Sequence, residues 1–148
     1  MLHKSVMKDH IVSAMTAHIA ALSESLEAFR SGADLDEDNT IDSEDISRQQ
    51  EASDMAQRIQ LQLDQAQADL KRLHLLSTDA CEVADLGALV ITDTHIFYIS
   101  TAAKSLLMDG QTVQPISDKS PIFMAMYGKK SGQSFTVGDH TYTINAIY

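Results

Sequence analysis

The sequence predicts an α+β protein: an N-terminal antiparallel helical hairpin of coiled-coil type, followed by a small strand-rich domain. Three observations carry this reading. Apolar residues recur at steps of three and four through the first half. Near Ser77 that period gives way to short runs rich in Ile, Val, Phe and Tyr. Between the two helical stretches lies a run of acidic residues with few apolar neighbours. The boundaries follow as 1–78 for the hairpin, with its tip near 33–45, and 79–148 for the second domain.

The first helix is expected from about Ser5 to Arg30, with Met7, Ile11, Met15, Ile19, Leu22, Leu26 and Phe29 on one stripe. No Gly or Pro interrupts it, and Ser31-Gly32 reads as its stop. Its length would be roughly 40 Å. A second helix is expected from about Ser43 to Leu76, its stripe being Ala52, Met55, Ile59, Leu63, Ala66, Leu70 and Leu73. Asp42 suits its N-cap, while Glu44 and Asp45 oppose the positive end of the helix dipole. Two single-stripe helices joined by a short connection bury their stripes most simply against each other.

In the second half, Leu86 to Ile91 and His95 to Ser100 read as strands around a Thr92-Asp93-Thr94 turn. Thr101 to Leu107 has no decisive pattern, and Asp109-Gly110 is a turn signal before a strand over Val113 to Ile116. Ser120-Pro121 opens a short helix reaching about Tyr127, with Ser as N-cap, Pro at the first helical position and Gly128 as its end. Gln133 to Val137 and His140 to Ile147 flank Gly138-Asp139 as a closing hairpin.

Composition narrows the function classes. The hydrophobic fraction of 44% supports a packed core, made mostly aliphatic by an aromatic share of 5%. A net charge of −10 argues against direct binding to duplex DNA, where affinity comes from Lys and Arg neutralising phosphates. The single cysteine, Cys81, cannot form an internal disulfide or a Cys-based zinc cluster, and a reducing compartment is the simplest setting. No apolar run is long enough to span a bilayer and no secretory signal is visible, so a soluble cytoplasmic protein is expected.

The loudest local signal runs from Asp34 to Asp45, where seven of twelve residues are acidic. Carboxylates gathered at a tip can ligate a hard divalent cation such as Mg²⁺ through oxygen. The alternative is a solvated, self-repelling loop whose later acids cap the second helix. An EF-hand does not fit, because the glycine at its sixth position is missing. His3, His10 and His18 lie near one side of the first helix, too far apart along it for one metal. Cys81 reads as a small buried thiol. The second informative stretch is Ile116-Ser117-Asp118-Lys119-Ser120-Pro121-Ile122, followed by Tyr127-Gly128-Lys129-Lys130-Ser131-Gly132. Physically it is a capped helical turn and then a Gly-framed basic turn.

These last residues, with Gly87-Ala88 and the hairpin ending at Ile147-Tyr148, resemble the C-terminal domain of GreA/GreB-type transcription elongation factors. The resemblance covers about Leu86 to Tyr148, in order. It implies an FKBP-like fold without isomerase activity, docking on RNA polymerase, with Asp118, Ser120 and Pro121 at the partner surface. Asp34-Leu35-Asp36-Glu37-Asp38 resembles the family's tip, with Asp38 where the family carries Asn. Asp34 and Glu37 match its two functional carboxylates, with Asp36 and Asp38 as weaker candidates. In the family these acids enter the secondary channel and help hold Mg²⁺ of the polymerase active site, which then cleaves the backtracked transcript.

The expected function is thus an RNA polymerase-binding elongation factor that modulates or stimulates transcript cleavage. It would have no catalytic residues of its own and no tightly bound cofactor, beyond Mg²⁺ shared with the polymerase. A helical-hairpin adaptor for another protein, or a regulator that blocks the channel without cleavage, is the competing expectation. No nucleophile–base pair, phosphate-binding glycine loop or metal-ligand triad marks a stand-alone enzyme.

Overall fold

The computed structural model of the chain describes residues 2–33 and 42–148. Two long helices come first, α1 (Lys4–Ala33) and α2 (Ser43–Leu75). Strands β1 (Leu89–Thr92), β2 (Ile96–Ser100), β3 (Leu106–Met108) and β4 (Gln111–Ser117) follow. The short helix α3 (Pro121–Met126) precedes the hairpin of β5 (Ser134–Val137) and β6 (His140–Ile147). The architecture is α+β. The chain divides into two compact units, Val12–Lys71 and a second made of Met1–Ile11 with Arg72–Tyr148. Among the described residues, no helix is long and apolar enough to cross a membrane.

In the unit Val12–Lys71 the helices run antiparallel. Leu22, Leu26, Ala56, Ile59 and Leu63 form its buried cluster, with Ile19 and Ala66 packed against it. Arg30 Nη2 donates to Gln60 Oε1 at 2.8 Å near the far end. Three details differ from the sequence expectation. Met55 is exposed and Ala56 takes the inner line, since a small side chain lets the helix axes approach. Phe29 is also exposed. Helix α1 passes through Gly32 instead of stopping there, and a Cβ at Gly32 would lie 3.9 Å from that of Ala52. That is an ordinary van der Waals distance, so the contact with Ala52 of α2 does not require glycine there. Asp42 is the N-cap of α2 as expected, its Oδ1 accepting from the Asp45 amide at 2.8 Å.

The other unit is built on one sheet, ordered β3-β4-β2-β1-β6-β5. All neighbours are antiparallel except β2 and β4, which pair in parallel from Ile96↔Val113 to Ser100↔Ser117. The β1–β2 hairpin turns at Thr92, whose hydroxyl accepts from the His95 amide at 2.9 Å and donates to the His95 carbonyl at 2.8 Å. Strand β3 was not legible as a strand, being three residues on an edge. It is set by Asp109-Gly110, both at positive φ, as a tight hairpin requires. Pro115 sits in β4 beyond the reach of β3, which pairs only as far as Val113, so no ladder bond on that edge is lost.

Alternation along the strands buries both faces. Val90, Phe97, Ile99, Ile116 and Ile144 join Phe123 and Met126 of α3 in one core. The intervening Leu89, Tyr98, Val113 and Pro115 are buried too, in the unit that contains the fully buried Met7 and Ile11. Tyr98 is 0% exposed, and its hydroxyl has no partner among the described residues. Burial first, then the neighbouring Cys81, push that hydroxyl up from 10.0 to about 12.

Two predictions follow from this packing. Leu26→Ala is expected to destabilise the hairpin by about 2–4 kcal/mol, whereas the exposed Met55→Ala should stay within about 0.5 kcal/mol, both read by urea denaturation followed through helical circular dichroism. For Tyr98 the unfolded chain loses its proton first, so its contribution to stability is intact below pH 10 and fades as pH climbs toward 12. Tyr98→Phe should therefore flatten the alkaline limb of the stability curve and leave neutral-pH stability equal or higher, because an unpaired buried hydroxyl is removed.

Candidate functional site

The stretch singled out between Ile116 and Gly132 folds as one interlocked element. Ser117 ends β4 and turns the chain, its carbonyl accepting from the Ser120 hydroxyl at 2.8 Å and the Ser120 amide at 3.2 Å. Ser120 is extended (φ −73°, ψ 147°) and its Oγ accepts from the Phe123 amide at 3.2 Å, capping α3 as expected. Pro121 starts the helix without wasting a donor. Apolar anchors on the inner side, Phe123 and Met126, fix α3 in the core, while Met124 and Tyr127 face outward at 67% and 61% exposure. Tyr127 ends the helix, and Gly128 donates to the Ala84 carbonyl at 2.8 Å. Ala84 in turn donates to the Lys129 carbonyl at 2.8 Å, and Val83 bridges Lys130. The basic turn is thus pinned to the segment preceding the sheet, and Gly132 donates to Ile144 at 2.7 Å.

The three candidate docking residues stand together here, at the start of α3. Asp118 and Ser120 are half-buried and Pro121 is exposed. Asp118 Oδ2 accepts from Arg72 Nη2 at 2.8 Å, a pair spanning 46 residues that sequence reasoning missed. The available signal was only that Arg72 closes α2, where a cation suits the negative end of the dipole. The other carboxylate oxygen, Oδ1, is buried without a partner among the described residues. Exposure of Met124 and Tyr127 also escaped the sequence, because a six-residue helix has too little period to show which face is covered.

The remaining candidates, Asp34, Asp36, Glu37 and Asp38, lie outside the described residues. Their place in the chain is between the end of α1 and the Asp42 cap of α2. Among the described residues no three or more His, Cys, Asp or Glu side chains gather as a metal site. As donors, carboxylates suit Mg²⁺.

No known family model matches this sequence, nor does any curated protein. Among solved structures, the chain is similar to GreA factor homolog 1 (Gfh1) of Thermus thermophilus, at 18% identity over 99% of this chain and 94% of that one, with a TM-score of 0.36. It is also similar to a structure of the transcription factor Gfh1, at 18% identity over 96% and 91% of the two chains, with a TM-score of 0.35. The likeness runs along nearly the whole chain.

The cap chemistry makes a measurable claim. Ser120→Ala should cost about 1 kcal/mol. A double-mutant cycle of Arg72→Ala and Asp118→Ala should give a coupling of about 0.5–1 kcal/mol, since both side chains are partly solvated. Chemical denaturation of the four variants checks both values.

Proposed function

We propose that this protein binds RNA polymerase, docking through the surface around Asp118, Ser120 and Pro121 and presenting the acidic 34–45 segment to the polymerase active site. The carrying observation is that the Ile-Ser-x-x-Ser-Pro-Ile stretch, on which the resemblance to Gre-type factors rests, folds as a capped and pinned α3. Exposed Met124 and Tyr127 give that element apolar contact area beside a charged pair, the composition that suits a protein interface. A second support is the chain order, in which Asp34 and Glu37 fall between α1 and α2. A net charge of −10 fits a protein partner better than a nucleic acid. The role belongs in the cytoplasm.

Asp34 and Glu37 would supply oxygen ligands to a Mg²⁺ ion shared with the polymerase; the ion, when bound, offers charge stabilisation for phosphodiester hydrolysis. The chain's own contribution is then to place carboxylates. The protein is a factor acting on another enzyme's chemistry, not an enzyme.

The test is transcript cleavage by backtracked elongation complexes of the cognate polymerase, with binding measured alongside. Asp34→Ala with Glu37→Ala should abolish stimulated cleavage and leave polymerase binding unchanged. Met124→Asp should weaken binding at least about tenfold, the loss typical of a central interface anchor. Binding without any stimulation would make the protein a channel-occupying regulator, and absence of binding would overturn the docking assignment.

A further inference from the structure

A lysine–cysteine contact lies at the base of α1. Lys4 is 8% exposed, and its ammonium donates to the carbonyls of Asp79, Gly87 (2.9 Å) and Tyr148 (3.2 Å). Its fourth contact is Cys81 Sγ at 3.6 Å. Cys81 is a free, half-buried thiol, so small oxidants reach it. The carbonyl cage leaves the lysine nitrogen no freedom to swing away, and nitrogen and sulfur are held close to reacting distance.

We infer that Lys4 and Cys81 form a redox-sensitive covalent switch, in which peroxide converts their contact into an S–N cross-link between Nζ and Sγ. In the first step hydrogen peroxide takes two electrons from the thiol, giving Cys81 sulfenic acid and one water. The Lys4 ammonium then releases a proton to solvent and the free amine attacks sulfur. The S–N bond forms as the S–O bond breaks, and the departing hydroxide takes the second N–H proton and leaves as water. Thiol, amine and peroxide thus become a sulfenamide and two waters. A thiol reductant reverses the step: its first thiol attacks sulfur, returning the amine and leaving a mixed disulfide, and its second thiol displaces Cys81 as the free thiol while the reductant becomes a disulfide. The bond closes a loop from residue 4 to residue 81, a separation of 77 that restricts the unfolded chain strongly.

The experiment uses the full chain, reduced and then treated with stoichiometric hydrogen peroxide. Peptide mass spectrometry should find the Lys4 peptide joined to the Cys81 peptide, lighter by two hydrogens than their sum and released by dithiothreitol. The oxidised protein should melt roughly 10 °C higher than the reduced one, a shift absent from Cys81→Ser. In Lys4→Arg, which keeps the charge and lacks the reactive amine, Cys81 should instead advance to sulfinic acid. Wild-type Cys81 recovered only as sulfinic acid, or only as a disulfide between two chains, would overturn the switch. So would an unchanged melting temperature in wild-type protein after oxidation, whatever the behaviour of the variants.

Discussion

Strand β1 is bonded along both edges and buried on both faces, and the sheet is organised around that constraint. On one side it pairs with β2 through a local hairpin; on the other it takes β6, more than fifty residues later in the chain. Leu89 and Tyr148 exchange reciprocal amide–carbonyl bonds of 2.9 Å at the end of this second pairing. Closing such a distant pair costs chain entropy, which only the burial of strongly apolar residues offsets. Leu89 and Val90, pointing to opposite faces and both essentially unexposed, provide it. The bulge at Ile91/Thr92 then lets β6 continue past the hairpin turn, where Asp93 caps it through Thr143.

The base of α1 is fixed by polar chemistry of an unusual kind. A buried ammonium is costly unless its donors are met, and Lys4 meets its own with backbone carbonyls. One of these belongs to Gly87, whose φ of 93° and approach to the Ser77 carbonyl leave little room for a side chain. Glycine at 87 therefore serves two ends at once: it turns the chain into β1 and offers its carbonyl to Lys4. Lys8 repeats the pattern more superficially, donating to the carbonyls of His74 and Leu76 at the end of α2. These are the orphan acceptors every helix C-terminus carries. Two lysines on consecutive turns of α1 thus tie its start to backbone carbonyls at the end of α2, before β1 and after β6.

The same economy of backbone satisfaction shapes the candidate docking element. Helix α3 is too short to hold itself, and its geometry is imposed from both ends, by Ser120 at the start and by the Ala84–Gly128 and Ala84–Lys129 bonds at the finish. A surface held this way is rigid without being large. Such rigidity favours recognition, since little side-chain and backbone freedom remains to be lost on binding. The acidity of the chain is concentrated elsewhere, in the segment between the long helices.

Much of this was determined by the sequence alone. The three-and-four spacing of Leu22, Leu26, Ile59 and Leu63 dictates helices with one buried line, and Asp42, Ser120-Pro121 and Asp109-Gly110 mark their boundaries and turns through local stereochemistry that no distant contact can easily override. What depended on residues far apart in the chain was decided only by the tertiary structure. The choice of Ala56 over Met55 for the inner line follows from how closely two helices approach, not from hydrophobicity. The parallel pairing of β2 with β4, the Arg72–Asp118 pair, and the contact of Lys4 with Cys81 join positions that share no local pattern. Periodicity reports the surroundings of a residue along its own element; which partner arrives from elsewhere is fixed by the packing of the whole unit.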